Sequence, residues 1–80
     1  MRIDKFLKIS RILKRRTVAQ DACNGGKIEV NGKVVKPSYN LKVGDQITIT
    51  LGANSLSVRV LALKDTVKKE EVGLLYEVIN

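Results

Sequence analysis

Eighty residues with fifteen Lys plus Arg, eight Asp plus Glu, one Cys, no His and no Trp carry a formal net charge of +7. A chain this short makes one small domain with a modest core and leaves little room for a walled substrate pocket. It also lacks the histidine that most often serves as general base or metal ligand, and the cysteine pairs that build disulfides and zinc sites. The excess charge points to a polyanion or an anionic membrane surface as partner.

Arg2, Lys5, Lys8, Arg11, Lys14, Arg15 and Arg16 stand against one acid, Asp4, so residues 1–16 hold a net charge of +6 and the remainder is close to neutral. Ile3, Phe6, Leu7 and Ser10 fall on one face at helical spacing, which predicts a first helix from about Ile3 to Arg11 with a basic edge beside its apolar face. Asp4 lies in its first turn, where a carboxylate suits the helix dipole and can orient a nearby arginine. After the basic turn Lys14-Arg15-Arg16, the run Thr17-Val18-Ala19-Gln20 matches a capping box and predicts a second helix with Thr17 as its N-cap. Val18, Ala19, Ala22 and Cys23 mark its apolar face, and Asn24-Gly25-Gly26 ends it.

From Gly26 onward the period becomes alternating. Lys27-Ile28-Glu29-Val30 reads as a half-buried strand, Asn31-Gly32 as a type I′ hairpin turn, and Lys33-Val34-Val35 as the returning strand, closed by Pro37-Ser38. Val43-Gly44-Asp45 turns the chain into a strand at Gln46–Thr50. Gly52-Ala53-Asn54 turns it again into Leu56–Leu61, and Leu74 to Ile79 makes a final strand. Lys68-Lys69-Glu70-Glu71 reads as a solvated turn. The fold class is therefore α+β: two short N-terminal helices packed on one side of a small, mostly antiparallel sheet, in a single domain over residues 1–80. The longest apolar run, Val60-Leu61-Ala62-Leu63, is far short of the ~20 residues of a membrane span. No apolar signal-peptide core precedes it, so a cytoplasmic protein is expected.

The segment Met1-Arg2-Ile3-Asp4-Lys5-Phe6-Leu7, with Arg11 and Lys14-Arg15-Arg16-Thr17-x-Ala19, resembles the opening of the S-four RNA-binding domain, or alpha-L motif. Gly26-Lys27-Ile28-Glu29-Val30-Asn31-Gly32, Lys36-Pro37-Ser38 and Gly44-Asp45 continue the pattern, so that the resemblance covers roughly residues 1–50. It is specific through order and spacing rather than through any one piece. Among the family's members, short free-standing ones of ribosome-associated quality control are the most similar. The resemblance implies RNA contacts by Arg2, Arg11 and Arg16, supported by Lys5, Lys8, Lys14, Arg15 and Thr17. The amides of Thr17-Val18-Ala19 are expected to offer an anion site. It implies as partners the ribosomal RNA of the large subunit, peptidyl-tRNA and, on the ribosome, the tailing factor RqcH. The chain is expected to act as a monomer without cofactor, metal or membrane contact.

Other readings are weaker. A helix-turn-helix DNA module would not be followed by this hairpin and these strands. An RNA-modifying enzyme would need a catalytic domain beside the S-four domain. A ribosome recycling or assembly factor of the same fold remains the alternative. Phe6 is expected in the core rather than on a base, and Cys23 as a small buried hydrophobe. For Tyr39, packing and base stacking both stay open.

Overall fold

A computed structural model describes residues 1–80. Two helices, α1 (Ile3–Ile9) and α2 (Arg16–Asn24), precede five strands: β1 (Ile28–Val30), β2 (Lys33–Val34), β3 (Gln46–Leu51), β4 (Asn54–Val60) and β5 (Tyr76–Val78). A 3-10 turn, Lys69–Leu74, leads into β5. The strands form one sheet in the order β2-β1-β3-β4-β5, with every neighbouring pair antiparallel.

The alternation seen in the sequence decides which face of the sheet is dry. Ile28 opposes Ile49, Val30 opposes Ile47, and Ile47 opposes Val58. All of these side chains are buried, in a core of fourteen hydrophobic residues that also takes Ile3, Phe6 and Leu7 from α1 and Ala19 and Cys23 from α2. Both helices thus cover one face. The other face carries Glu29, Thr48 and Ser57, whose hydroxyls hydrogen-bond at 3.1 Å in the case of Thr48 and Ser57, and an ion pair of Arg59 with Glu77. Tyr39 is half-buried and packs against the core. No helix is long and apolar enough to cross a membrane.

Two helix boundaries differ from expectation. α1 stops at Ile9 rather than Arg11, because Arg11 adopts a left-handed backbone with φ 61°. α2 begins at Arg16, with Arg15 as N-cap and no side-chain cap hydrogen bond, so Thr17 is not the cap. The Gln20 side chain, which a capping box would turn back onto the Thr17 amide, donates instead to Asp4 Oδ2 at 3.0 Å. Donating to a buried carboxylate is a charge-assisted bond, stronger than accepting an exposed backbone amide would be.

The Asn31-Gly32 hairpin forms as expected, with φ 52° and 85° at the two turn residues. Asn31 does more than turn. Its Nδ2 donates to Asp45 Oδ1 at 3.1 Å and its Oδ1 accepts the Gln46 amide at 3.0 Å, tying the hairpin to the start of β3. Asn31→Gly keeps the backbone freedom but loses both side-chain bonds, and is expected to cost about 1 kcal/mol. Asn31→Ala adds the strain of the left-handed region, about 1 kcal/mol more. Urea unfolding of the three proteins checks the order Asn, Gly, Ala; equal stabilities for the two variants would remove the backbone from the explanation.

Candidate nucleic-acid interface

The basic segment folds around one acid. Asp4 is fully buried, the only charged side chain in the core. Its Oδ1 accepts the Lys5 amide at 2.7 Å and Arg2 Nε at 3.3 Å; its Oδ2 accepts Arg2 Nη2 at 3.1 Å and Gln20 Nε2 at 3.0 Å, with Arg16 Nε at 3.3 Å. Arg2 precedes α1, whereas Arg16 and Gln20 belong to α2, so this carboxylate fastens the two helices and brings two arginines to one point. Burial alone pushes the Asp4 carboxyl upward; the bonds from Gln20, Arg16, the Lys5 amide and Arg2 outweigh it and hold the group below its ordinary 3.8. Both arginines stay about half exposed, at 50% and 43% of their side chains. Each keeps unused guanidinium donors for a second, outer anion.

The helix ends differ in what they leave free. At α1 the Ile3 amide donates to the Tyr39 carbonyl at 2.9 Å and the Asp4 amide to the Pro37 carbonyl at 3.2 Å, so its first turn is capped by the 37–41 loop. At α2 the Ala19 amide is already taken by the Arg15 carbonyl at 3.1 Å. The free amides are therefore those of Arg16, Thr17 and Val18, one residue earlier than expected. Thr17 is exposed beside them.

The remaining cations divide into paired and unpaired. Lys5 Nζ lies 3.0 Å from Asp65 Oδ1, a solvent-exposed ion pair across sixty residues that links the 61–68 segment to α1, while Ala62, Leu63 and Val67 pack that segment on the core. Lys8, Arg11, Lys14 and Arg15 are exposed and enter no ion pair. Lys8, Arg11 and Lys14 line one cavity of about 470 Å³. Arg11 stands where the chain reverses after α1. Its amide donates to the Lys8 carbonyl at 3.0 Å, and the Leu13 amide reaches back to the Leu7 carbonyl at 3.0 Å, which returns the Leu13 side chain to the core. A side chain other than glycine in that backbone region costs about 1–2 kcal/mol. Arg11 adopts it nonetheless.

The eight residues expected at the interface thus lie just before and on α1, in the turn and at the start of α2. Five form two clusters, Arg2 and Arg16 on Asp4 and Lys8, Arg11 and Lys14 on the cavity, while Lys5 pairs with Asp65 and Arg15 and Thr17 stand outside both. Gln20, Asp65, Thr66 and Val67 were not anticipated; Gln20 was hidden by the capping-box pattern, and the other three carry no local signal. Cys23 is buried, and burial, with the Asp4 charge adding to it, pushes its thiol up to about 11. It is inert as a nucleophile at neutral pH.

Asp4→Asn keeps the side-chain size but removes the charge and turns one of the two acceptor oxygens into a donor. Because both arginines are half exposed, the cost is expected near about 2 kcal/mol at pH 7 rather than the larger penalty of a fully dry pair. The lowered carboxyl sets the sign with pH: the native advantage is complete above 3.8 and fades as pH falls through the lower value of the folded state. Urea unfolding of both proteins at pH 7 and near pH 3 checks this; a gap that stays constant would show that the charge is not what stabilises the clamp.

A model of the S4 domain matches residues 1–47. The RQC P-site tRNA stabilizing factor of Streptococcus pneumoniae is 51% identical over 80 residues, covering 100% of this chain and 91% of that protein. The protein of the same name from Halalkalibacterium halodurans is 49% identical over 78 residues, covering 98% and 89%. Among solved structures, the trimeric heat shock protein 15 of Vibrio cholerae superposes with a TM-score of 0.91 at 31% identity, covering 99% of this chain and 81% of that one.

Proposed function

The chain belongs to the S4 domain family, and from that premise we propose that it is a non-catalytic RNA-binding factor of ribosome-associated quality control. It docks on large ribosomal subunits obstructed by peptidyl-tRNA, contacts large-subunit ribosomal RNA and the tRNA, and supports addition of C-terminal alanines to the stalled chain by RqcH. It acts as a monomer. The observation that carries this reading is the likeness, over nearly the whole of both chains, to proteins named for stabilizing P-site tRNA in this process.

The basic face supplies suitable chemistry. Arginine forks match phosphate geometry and can stack on exposed bases. Arg2 and Arg16 are held ready by Asp4, and Lys14, Arg15 and the free amides of α2 lie next in the chain. Structured RNA is bound mainly through backbone shape and splayed bases, which a rigid two-helix edge suits. A second reading, a recycling or assembly factor, is favoured by the structural likeness to heat shock protein 15.

Co-sedimentation with large subunits is expected to weaken for Arg16→Ala and for the Lys14→Ala/Arg15→Ala pair. The pair variant should unfold at an unchanged or slightly raised urea midpoint, since neither residue has a partner to lose and both add to the repulsion among like charges. Asp4→Asn is expected to weaken binding even though it makes the chain more positive, because it releases the two clamped arginines; stronger binding would mean that bulk charge alone governs the contact. With four phosphates engaged, affinity should fall by about three decades per decade of salt, from ~0.7 per contact. Deletion of the gene is expected to abolish alanine tails on stalled chains. Unchanged tailing with intact sedimentation would favour recycling or assembly.

A further inference from the structure

A flat basic surface is enough to hold a phosphate chain, yet three of the four unpaired cations of residues 1–16 surround a hollow. Lys8, Arg11 and Lys14 line the cavity of about 470 Å³ between the C-terminal end of α1 and the 61–68 segment, and Ile9, Leu13 and Val67 line the rest of it as apolar wall. Asp65 and Thr66 complete the lining. The volume is in the range of small-ligand sites, roughly 300–1,000 Å³. Asp65 does not cancel the cationic side, since its carboxylate is already matched by Lys5 at 3.0 Å.

A nucleotide has this same division: a planar face that favours apolar contact, edges that hydrogen-bond, and an anionic phosphate. On the footing of the RNA-binding face proposed above, we propose that this cavity takes one unstacked nucleotide of the bound RNA. Its base lies against Ile9, Leu13 and Val67, its edge is within reach of Asp65 and Thr66, and its phosphate sits on Lys8, Arg11 and Lys14. Extruded bases are held elsewhere by apolar walls and hydrogen bonds to their edges. The backbone of Arg11 supports this assignment independently. At φ 61° the position favours glycine, yet this chain carries an arginine there at the expense of strain. Strain of this kind collects where a side chain is needed for contact. The 61–68 segment then has a task that the S4 match over residues 1–47 does not include: it forms the outer wall of a site whose cations come from the first helix and turn.

Titration of the labelled 80-residue chain with 5′-AMP, ribose 5-phosphate and inorganic phosphate, followed by methyl and amide NMR, tests the site. AMP is expected to shift the methyls of Ile9, Leu13 and Val67 and to bind about tenfold more tightly than ribose 5-phosphate, the contribution of one base contact. A short single-stranded oligoadenylate should shift the same methyls at lower concentration. Arg11→Gly should cut AMP affinity at least fivefold while the urea midpoint holds or rises, an outcome that a purely structural arginine would not produce. Equal binding of the three small anions would reduce the site to a phosphate contact and overturn the proposal. So would AMP shifts confined to the groove beside the β1–β2 hairpin, lined by Val34 and Tyr39, or AMP binding that oligoadenylate fails to reproduce. Loss of AMP binding with normal subunit sedimentation removes the cavity assignment alone; normal AMP binding without sedimentation removes the ribosomal role alone.

Discussion

The Asp4 carboxylate sits wholly out of water and remains charged because five donor groups surround it. An unpaired carboxylate in that position would cost several kcal/mol, so its partners are held in place as firmly as it is. Those partners come from the residue before α1, from α1 itself and from the first two turns of α2. The helices are only seven and nine residues long and would not persist alone. Apolar packing through Phe6, Leu7, Ala19 and Cys23 holds them to the sheet, but packing is non-directional. The carboxylate adds the direction, since hydrogen bonds to fixed lone pairs set the rotation of one helix against the other. The orientation of Arg2 and Arg16 follows from that.

The basic edge therefore contains two kinds of cation. Arg2 and Arg16 have given part of their fork to Asp4 and lost much of their rotamer freedom before any ligand arrives, so less entropy remains to be lost on binding. Lys8, Lys14 and Arg15 have no partner and keep that freedom. The first kind suits recognition of one arrangement of phosphates, and the second suits attraction and adjustment. Lys5 belongs to neither, because its ammonium is already paired with Asp65 of the 61–68 segment.

Much of this was legible in the sequence, for reasons that are local. The strand faces follow from period two in Ile28 to Val30 and Gln46 to Leu51. The hairpin follows from Asn31-Gly32, and the concentration of charge from counting. Asp4 could be read as an orienting group because it lies in a first helical turn among arginines. What was missed is non-local or competitive. Gln20 fits a capping box as well as it fits a long-range donor, and only the buried acceptor sixteen residues earlier decides between them. The Lys5–Asp65 pair joins opposite ends of the chain, and nothing at either residue announces the other. Arg11 reads as one more helical cation at a spacing of three. Its left-handed backbone becomes visible only once Leu13 is seen to be needed in the core, which forces the chain to reverse two residues before it.

Concentrating a net +6 in sixteen residues also opposes the fold that carries it, since like charges within a Debye length of about 8–10 Å repel one another across the solvent. The near-neutral sheet adds little to this repulsion, and Asp4 and Asp65 relieve it at the points where they pair. Lys8, Arg11, Lys14 and Arg15 are left without an internal counter-charge, and the strained backbone at Arg11 adds to the load. A polyanion laid along this edge would supply the missing charges from outside. Binding that removes an internal repulsion favours the folded state that presents the edge, so the two equilibria are linked: the cations that destabilise the free domain strengthen its hold on the partner. A basic cluster spread evenly over the sheet would have eased the repulsion but would also have lost the single address that the helices and their turn provide.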